Sequence, residues 1–419
     1  MSSRDKVLTA LAHQPGPVAV DFGSTGVTGM HVTCVAALRR HFGLPDHPVK
    51  VWEPYQMLGE IEPDLMDALG ADIEGISGRG TMFGFNKEGW REWRTPWGQL
   101  VLVPEGFRPR VENSGDVYLF PQGDTTVPPS GHMPAGGYFF DAIIRQPPLD
   151  EARLDPADNC EEFKLLAPED LAHWRQEIAR VHGGPRAIHA SLGGTGFGDI
   201  ALVPAAFLKH PRGIRDVTEW YVSLLERPDY IHAIFSRQCD IALQNLATFA
   251  AIAGDTVDVL FVCGTDFGTQ SSQFCSRATF NSLFAPYYRR VNDWVHRHTR
   301  WKTFKHSCGA VWPLIPDFID CGFDILNPVQ CSATDMDPQR LKAEFGERIV
   351  FWGGGVDTQR ALPFGTPAEV RTQVTERLRI FAPGGGFVFN TIHNIQALTP
   401  VANMVAMLDA IRDYNRAGG

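Results

Sequence analysis

The chain has 419 residues, a formal net charge of −10, 44% hydrophobic and 21% charged residues. That length allows one large α/β barrel or two or three domains, and the composition is that of a globular protein whose core can do without disulfides. The acidic balance argues against general binding to nucleic acid or anionic membrane. No run of about 18 apolar residues offers a membrane span, and eight scattered cysteines with no CxxC pair read as reduced thiols of a cytoplasmic protein.

The polar stretch Met1 to Leu11 lacks the apolar core of a signal peptide. Ser2 or Ser3 can cap a first helix over Arg4 to Ala12, with Val7, Leu8 and Leu11 on one face. Pro15-Gly16-Pro17 stops it. Val18 to Gly23 then reads as a short buried strand, and Thr28 to Phe42 as a helix closed by Gly43. Residues 81–150 differ in character. Gln99 to Val103 and Asp116 to Phe120 read as strands, set apart by Pro/Gly clusters between Pro121 and Gly137. This stretch predicts a β-rich insertion or lid on a single domain spanning 1–419.

From about Arg186 strands and helices alternate. Strands are predicted over Ala187 to Ala190, Asp258 to Cys263, Arg300 to Phe304, Asp324 to Asn327, Arg348 to Trp352 and Gly386 to Asn390. Helices are predicted over Val217 to Leu225, Tyr230 to Ala253, Val311 to Asp320, Asp337 to Phe345, Pro367 to Ala382 and Pro400 to Arg416. Repeated units of about 30–40 residues imply a parallel sheet. With no GxGxxG turn after the first strand, a (β/α)8 TIM barrel with chemistry at the C-terminal strand ends fits best.

The residues just past the late strands are Asp266, His306 and Cys308, Asn327 to Cys331, Asp357 and His393. In a barrel they all point into one mouth. His306 and Cys308, two apart, fall on one face of a strand end because side chains there alternate. A thiolate with imidazoles suits Zn²⁺, and a zinc with an open position is a catalytic device. Asp266 and Asp357 also suit turn or helix-cap duty, His393 also suits a hydrogen-bonded structural histidine, and Cys331 suits a small buried residue. Asn327, Gln330, Asp357 and Gln396 are expected to bind substrate at the same rim.

Several segments resemble the uroporphyrinogen decarboxylase-like superfamily, which includes true decarboxylases and cobalamin-dependent methyltransferases. They are His306-Ser307-Cys308-Gly309, Asp324 to Gln330, Gly353 to Asp357, Phe364-Gly365-Thr366-Pro367 and Thr399 to Asn403. The likeness is strongest from about Ile188 to Tyr414. The family's methyltransferases bind zinc through a His-x-Cys pair and a distant Cys, six residues before a Thr-Pro that opens the last helix. The pair falls on His306 and Cys308. The distant position holds His393, six before Thr399, so the implied site has two histidines and one cysteine. Asp266 matches an acidic position and is implied as a fourth ligand or an acid/base, with His393 as a second catalytic group. The decarboxylase signature Arg-Gln-Ala-Gly-Arg is replaced by Asp21-Phe22-Gly23-Ser24-Thr25-Gly26, which offers no bidentate arginine for a carboxylate-rich substrate.

The resemblance implies a corrinoid-dependent methyltransferase with zinc as Lewis acid. It would move a methyl group between a small methylated, preferably methoxylated, compound and cobalamin carried by a separate corrinoid protein, because the chain has no Asp-x-His-x-x-Gly motif of its own. Pairing into a homodimer is also implied. The alternative is a metal-free decarboxylase of a small carboxylic acid, with Asp266 or His393 protonating the product carbanion. A non-catalytic binding barrel is the third reading.

Overall fold

Eight parallel strands form the centre of the computed structural model, which describes residues 1–418. They are β1 (Ala19–Val20), β2 (Ile73–Ser77), β3 (Ala187–Ser191), β4 (Val259–Cys263), β5 (Lys302–His306), β6 (Ile325–Asn327), β7 (Val350–Trp352) and β8 (Phe387–Phe389). From β2 to β8 each strand pairs with the next, and β8 pairs with β1. Asp72 bridges the remaining gap: its N–H donates to the Val20 carbonyl at 2.8 Å and its Oδ2 accepts the Val20 N–H at 3.0 Å. The chain is therefore a TIM barrel with a β-rich excursion near its N-terminus. Strands β6, β7 and β8 are buried throughout, as strands covered on both faces must be.

Two differences from the predicted elements matter. Strand β2 has no counterpart in the sequence reading, because Glu74 and Gly75 interrupt its apolar run. Gly75 is there for close approach, since a Cβ would lie 1.9 Å from the Ser24 carbonyl oxygen. Strand β5 runs two residues beyond Phe304, so His306 sits on the strand itself.

The excursion follows the C-terminal end of β2. One antiparallel sheet contains Arg110–Val111, Val117–Leu119, Gly131–Met133 and Asp141–Ala142. A second joins Arg91–Arg94 and Leu100–Val103 to Val49–Glu53 and Leu58–Gly59. The β-rich region thus recruits strands that precede residue 81, through the parallel pairing of Val49 with Val101.

At the opposite end the first helix, Ser3–Leu11, closes the barrel. Ser2 caps it in a capping box with Asp5. Its buried face, Val7, Ala10 and Leu11, packs on the inward residues Ala19, Ile73, Ala187, Val259, Ile325 and Val350. Among the described residues no helix is long and apolar enough to cross a membrane.

Candidate metal centre

Phe304 on β5 packs in the barrel interior, so strand alternation turns His306, two residues on, into the mouth. Cys308 follows, and Gly309 then turns the chain at φ 89°. A Cβ on Gly309 would lie 2.4 Å from the Gly268 backbone, so only glycine fits. His393 arrives on the loop after β8, where the Thr391 hydroxyl donates to its carbonyl. The ligand atoms of His306, Cys308 and His393 all lie within 4.8 Å of one another. Cys308 Sγ is 3.3 Å from His306 Nε2, and the two imidazole rings are 5.6 Å apart at 72°.

The tautomer of His306 follows from its neighbour. Asn327 Nδ2 donates to the Trp352 carbonyl at 2.8 Å, so its Oδ1 must face His306 Nδ1 at 2.6 Å. That nitrogen carries the proton, and Nε2 presents its lone pair towards Cys308. This is the outer-shell arrangement that orients a metal-ligating histidine. Ligands of a tetrahedral zinc with bonds of about 2.0–2.3 Å stand about 3.4–3.7 Å apart. The cluster needs only a small closure to meet that geometry, so the donor set fits zinc.

Burial sets the charge states. It holds both His306 and His393 down to about 4, so both imidazoles are neutral at pH 7. Burial, with Asp266 alongside, pushes the Cys308 thiol well above its usual range. Metal capture would therefore release a proton from it. Burial also raises Asp266, against the N–H of Cys308 that donates to its Oδ1 at 2.6 Å. The same oxygen lies 3.8 Å from His306 Nε2. Asp266 thus borders the three-ligand cluster.

The remaining predicted residues divide by their hydrogen bonds. Asn327 is fully buried, with both amide atoms engaged as described. Gln330 Oε1 accepts the Gly309 N–H at 2.7 Å and holds the ligand turn. Asp357 Oδ1 accepts the N–H groups of Gln359 and Arg360 and caps its own loop. These bonds give the three residues positioning duties at the rim, with Gln330 Nε2 and Asp357 Oδ2 outside them. Gln396 is exposed and donates to the Asn394 carbonyl at 3.2 Å.

Sequence reasoning did not foresee the polar network inside the barrel below the cluster. Ser24 Oγ donates to Asp21 Oδ2 at 2.7 Å and lies 3.1 Å from His189 Nδ1, while Trp352 Nε1 donates to Asp21 Oδ2 at 3.0 Å. Burial pushes Asp21 up to about 6 and His189 down to about 3. The available signal was a polar residue inside each of two apolar strand segments, Val18 to Phe22 and Ala187 to Ala190.

With this geometry in view, the comparisons with known proteins are informative. The family model described as Uroporphyrinogen decarboxylase (URO-D) matches residues 204–414, half of the chain. A uroporphyrinogen decarboxylase of Azoarcus sp. (strain BH72) is 22% identical over 263 residues, 62% of this chain and 69% of the relative. One from Herminiimonas arsenicoxydans is 32% identical over 79 residues, only 18% of this chain and 21% of the relative. Among solved structures, a methyltransferase from Methanosarcina mazei superposes with a TM-score of 0.53 at 16% identity, covering 99% of both chains. That likeness establishes the shared fold over the whole length. The chain belongs to the uroporphyrinogen decarboxylase (URO-D) family.

Proposed function

We propose that this protein is a corrinoid-dependent methyltransferase that moves a methyl group between a small methoxylated compound and a separate corrinoid protein. The observation that carries the reading is the convergence of His306, Cys308 and His393 within 4.8 Å at the barrel mouth. The full-length fold likeness to a methyltransferase supports it, as does the absence of arginine from the Asp21 to Gly26 segment.

Zinc held by these three side chains would supply Lewis-acid stabilisation of negative charge on the heteroatom that carries the methyl group. The protein's own residues prepare that chemistry. Asn327 fixes His306 with its lone pair facing the mouth. Asp266 keeps a proton more readily than an ordinary carboxyl, and its Oδ1 is fixed by Cys308, which leaves Oδ2 to donate to a leaving oxygen. Trp352 and Phe304, packed edge to face at 5.4 Å, close the barrel beneath and keep water from that side. Residues 81–150 serve as a lid on the single domain, and Gln396 offers an exposed amide at the rim for substrate.

The test mixes purified protein with a corrinoid partner and a panel of methoxylated compounds, and follows the cobalt absorbance. Methyl transfer that is lost on chelation and in Cys308→Ala is expected. The second reading, a metal-free decarboxylase, draws on the names of the curated relatives and on the raised Asp266 carboxyl. Carbon dioxide release that survives chelation and Cys308→Ala would replace the first reading with the second.

A further inference from the structure

Lys305 precedes the first cluster histidine and points the other way, out of the barrel and under the helices. It is fully buried. Its ammonium donates to the Thr265 carbonyl at 2.9 Å and the His306 carbonyl at 3.0 Å, and lies 3.4 Å from Cys263 Sγ. Aromatic rings surround it, with Phe267 at 4.7 Å, Phe318 at 5.1 Å and Tyr288 at 5.6 Å. All three hydrogen-bond partners are carbonyls or a cysteine sulfur, and a buried ammonium so placed carries a desolvation cost. Cation–π contacts offset part of that cost, but an apolar side chain would fill the same cage without it.

What the ammonium accomplishes is local. The pairing of β4 with β5 becomes irregular between Phe261 and Cys263, where Cys263 faces Lys305. Bulges of this kind re-aim the chain beside functional sites. Beyond the irregularity the two strand ends carry the cluster: Thr265 leads directly to Asp266, and His306 is a ligand. Lys305 bonds one carbonyl on each. Asp266 in turn accepts the Cys308 N–H, so the lysine, the two strand ends and the ligand turn form one connected unit.

We infer that Lys305 is a positioning residue that ties the ends of β4 and β5 and sets the placement of Asp266 against His306 and Cys308. The inference rests on the metal-centre reading above. The probe is Co²⁺ added to metal-free protein, read by chelator competition and by its visible spectrum. Lys305→Met preserves packing, because a thioether sits well against aromatic rings. This variant is expected to bind Co²⁺ at least about tenfold more weakly, the range seen when an outer-shell partner is lost, with altered visible bands and a metal-free melting temperature close to wild type. Cys263→Ala removes the sulfur contact and leaves both carbonyl ties, so its Co²⁺ affinity and spectrum should match wild type. If Lys305→Met does not fold, Lys305→Gln carries the same test: its shorter, uncharged side chain keeps an NH2 donor group, and the variant should fall between wild type and that loss. Wild-type Co²⁺ affinity and bands in the folded Lys305 variant, or an equal loss in Cys263→Ala, would overturn the inference. A wild-type protein that takes up no Co²⁺ would remove the metal reading itself and this inference with it.

Discussion

At the N-terminal end of the barrel, Asp72, Asp258 and Asp324 each stand just before a strand and accept an N–H from the strand next door, of Val20, Ile188 and Thr303 in turn. Lys6, Arg4 and Lys302 neutralise these carboxylates, and the first helix seals the opening. At the C-terminal end, His306, Cys308, His393 and Asp266 crowd together under burial that drives each towards its neutral form. The same eight strands thus satisfy their polar groups at one end and hold them poised at the other. In this architecture stability collects at the bottom of the barrel and chemistry at the top.

Substitutions at the two ends should therefore fail in different ways. The largest effect is expected from Cys308→Ala at the mouth. Methyl transfer should fall by more than about 100-fold, beyond what an outer-shell change costs, while the metal-free protein melts within a few degrees of wild type. Retained turnover, measured with metal content on the same sample, would break the contrast.

Asp258→Ala at the bottom should do the reverse. It leaves the Ile188 N–H buried without its acceptor and Arg4 without its partner, which costs about 2–3 kcal/mol. Denaturant unfolding should show that loss, with metal binding per folded molecule unchanged. A shift in metal affinity instead would mean that the two ends are coupled.

Asn327→Leu sharpens the comparison within the mouth. It leaves the His306 Nδ1–H and the Trp352 carbonyl unpaired, so metal affinity should drop by about 10–100-fold. Chelator competition reads this directly, and an unchanged affinity would deny Asn327 its orienting role.

The most gradual effect is a pH slope at Asp21, between the two ends. Burial raises its carboxyl from about 3.8 to about 6. The folded protein thus keeps a proton that the unfolded chain releases between those values, and stability is lost as pH rises through that window. The slope reaches about 1.4 kcal/mol per pH unit for one group. The Asp21→Asn variant has no such proton, so its stability should decline less between pH 4 and 6. Parallel curves for the two proteins would show that the Asp21 carboxyl titrates alike in the folded and unfolded chain.

Much of this was legible in the sequence, for physical reasons that also mark where legibility stopped. Strands β4 to β8 are short apolar runs ending in glycine or polar residues, so they could be read directly. Strand β2 could not, because its glycine answers to the Ser24 backbone, which no local pattern reveals. His306 and Cys308 were visible through strand alternation, and His393 through its place after the last strand and, by the family resemblance, its distance from Thr399. The duties of Asn327 and Gln330 were not, because they depend on which way a carboxamide faces. The Asp21–Ser24–His189 network joins segments 165 residues apart, and only the closed barrel brings them together. Lys305 could be assigned an outward direction by parity with His306, but its carbonyl partners follow from an irregularity in strand pairing that the sequence does not mark.

The most direct measurement is X-ray absorption at the zinc edge on protein purified without chelator, with metal content from the same sample. About one zinc per chain is predicted, with one sulfur near 2.3 Å and nitrogen or oxygen neighbours near 2.0–2.1 Å, the sulfur disappearing in Cys308→Ala. Protein without near-stoichiometric zinc, or a bound metal with no sulfur in its shell, would contradict the account.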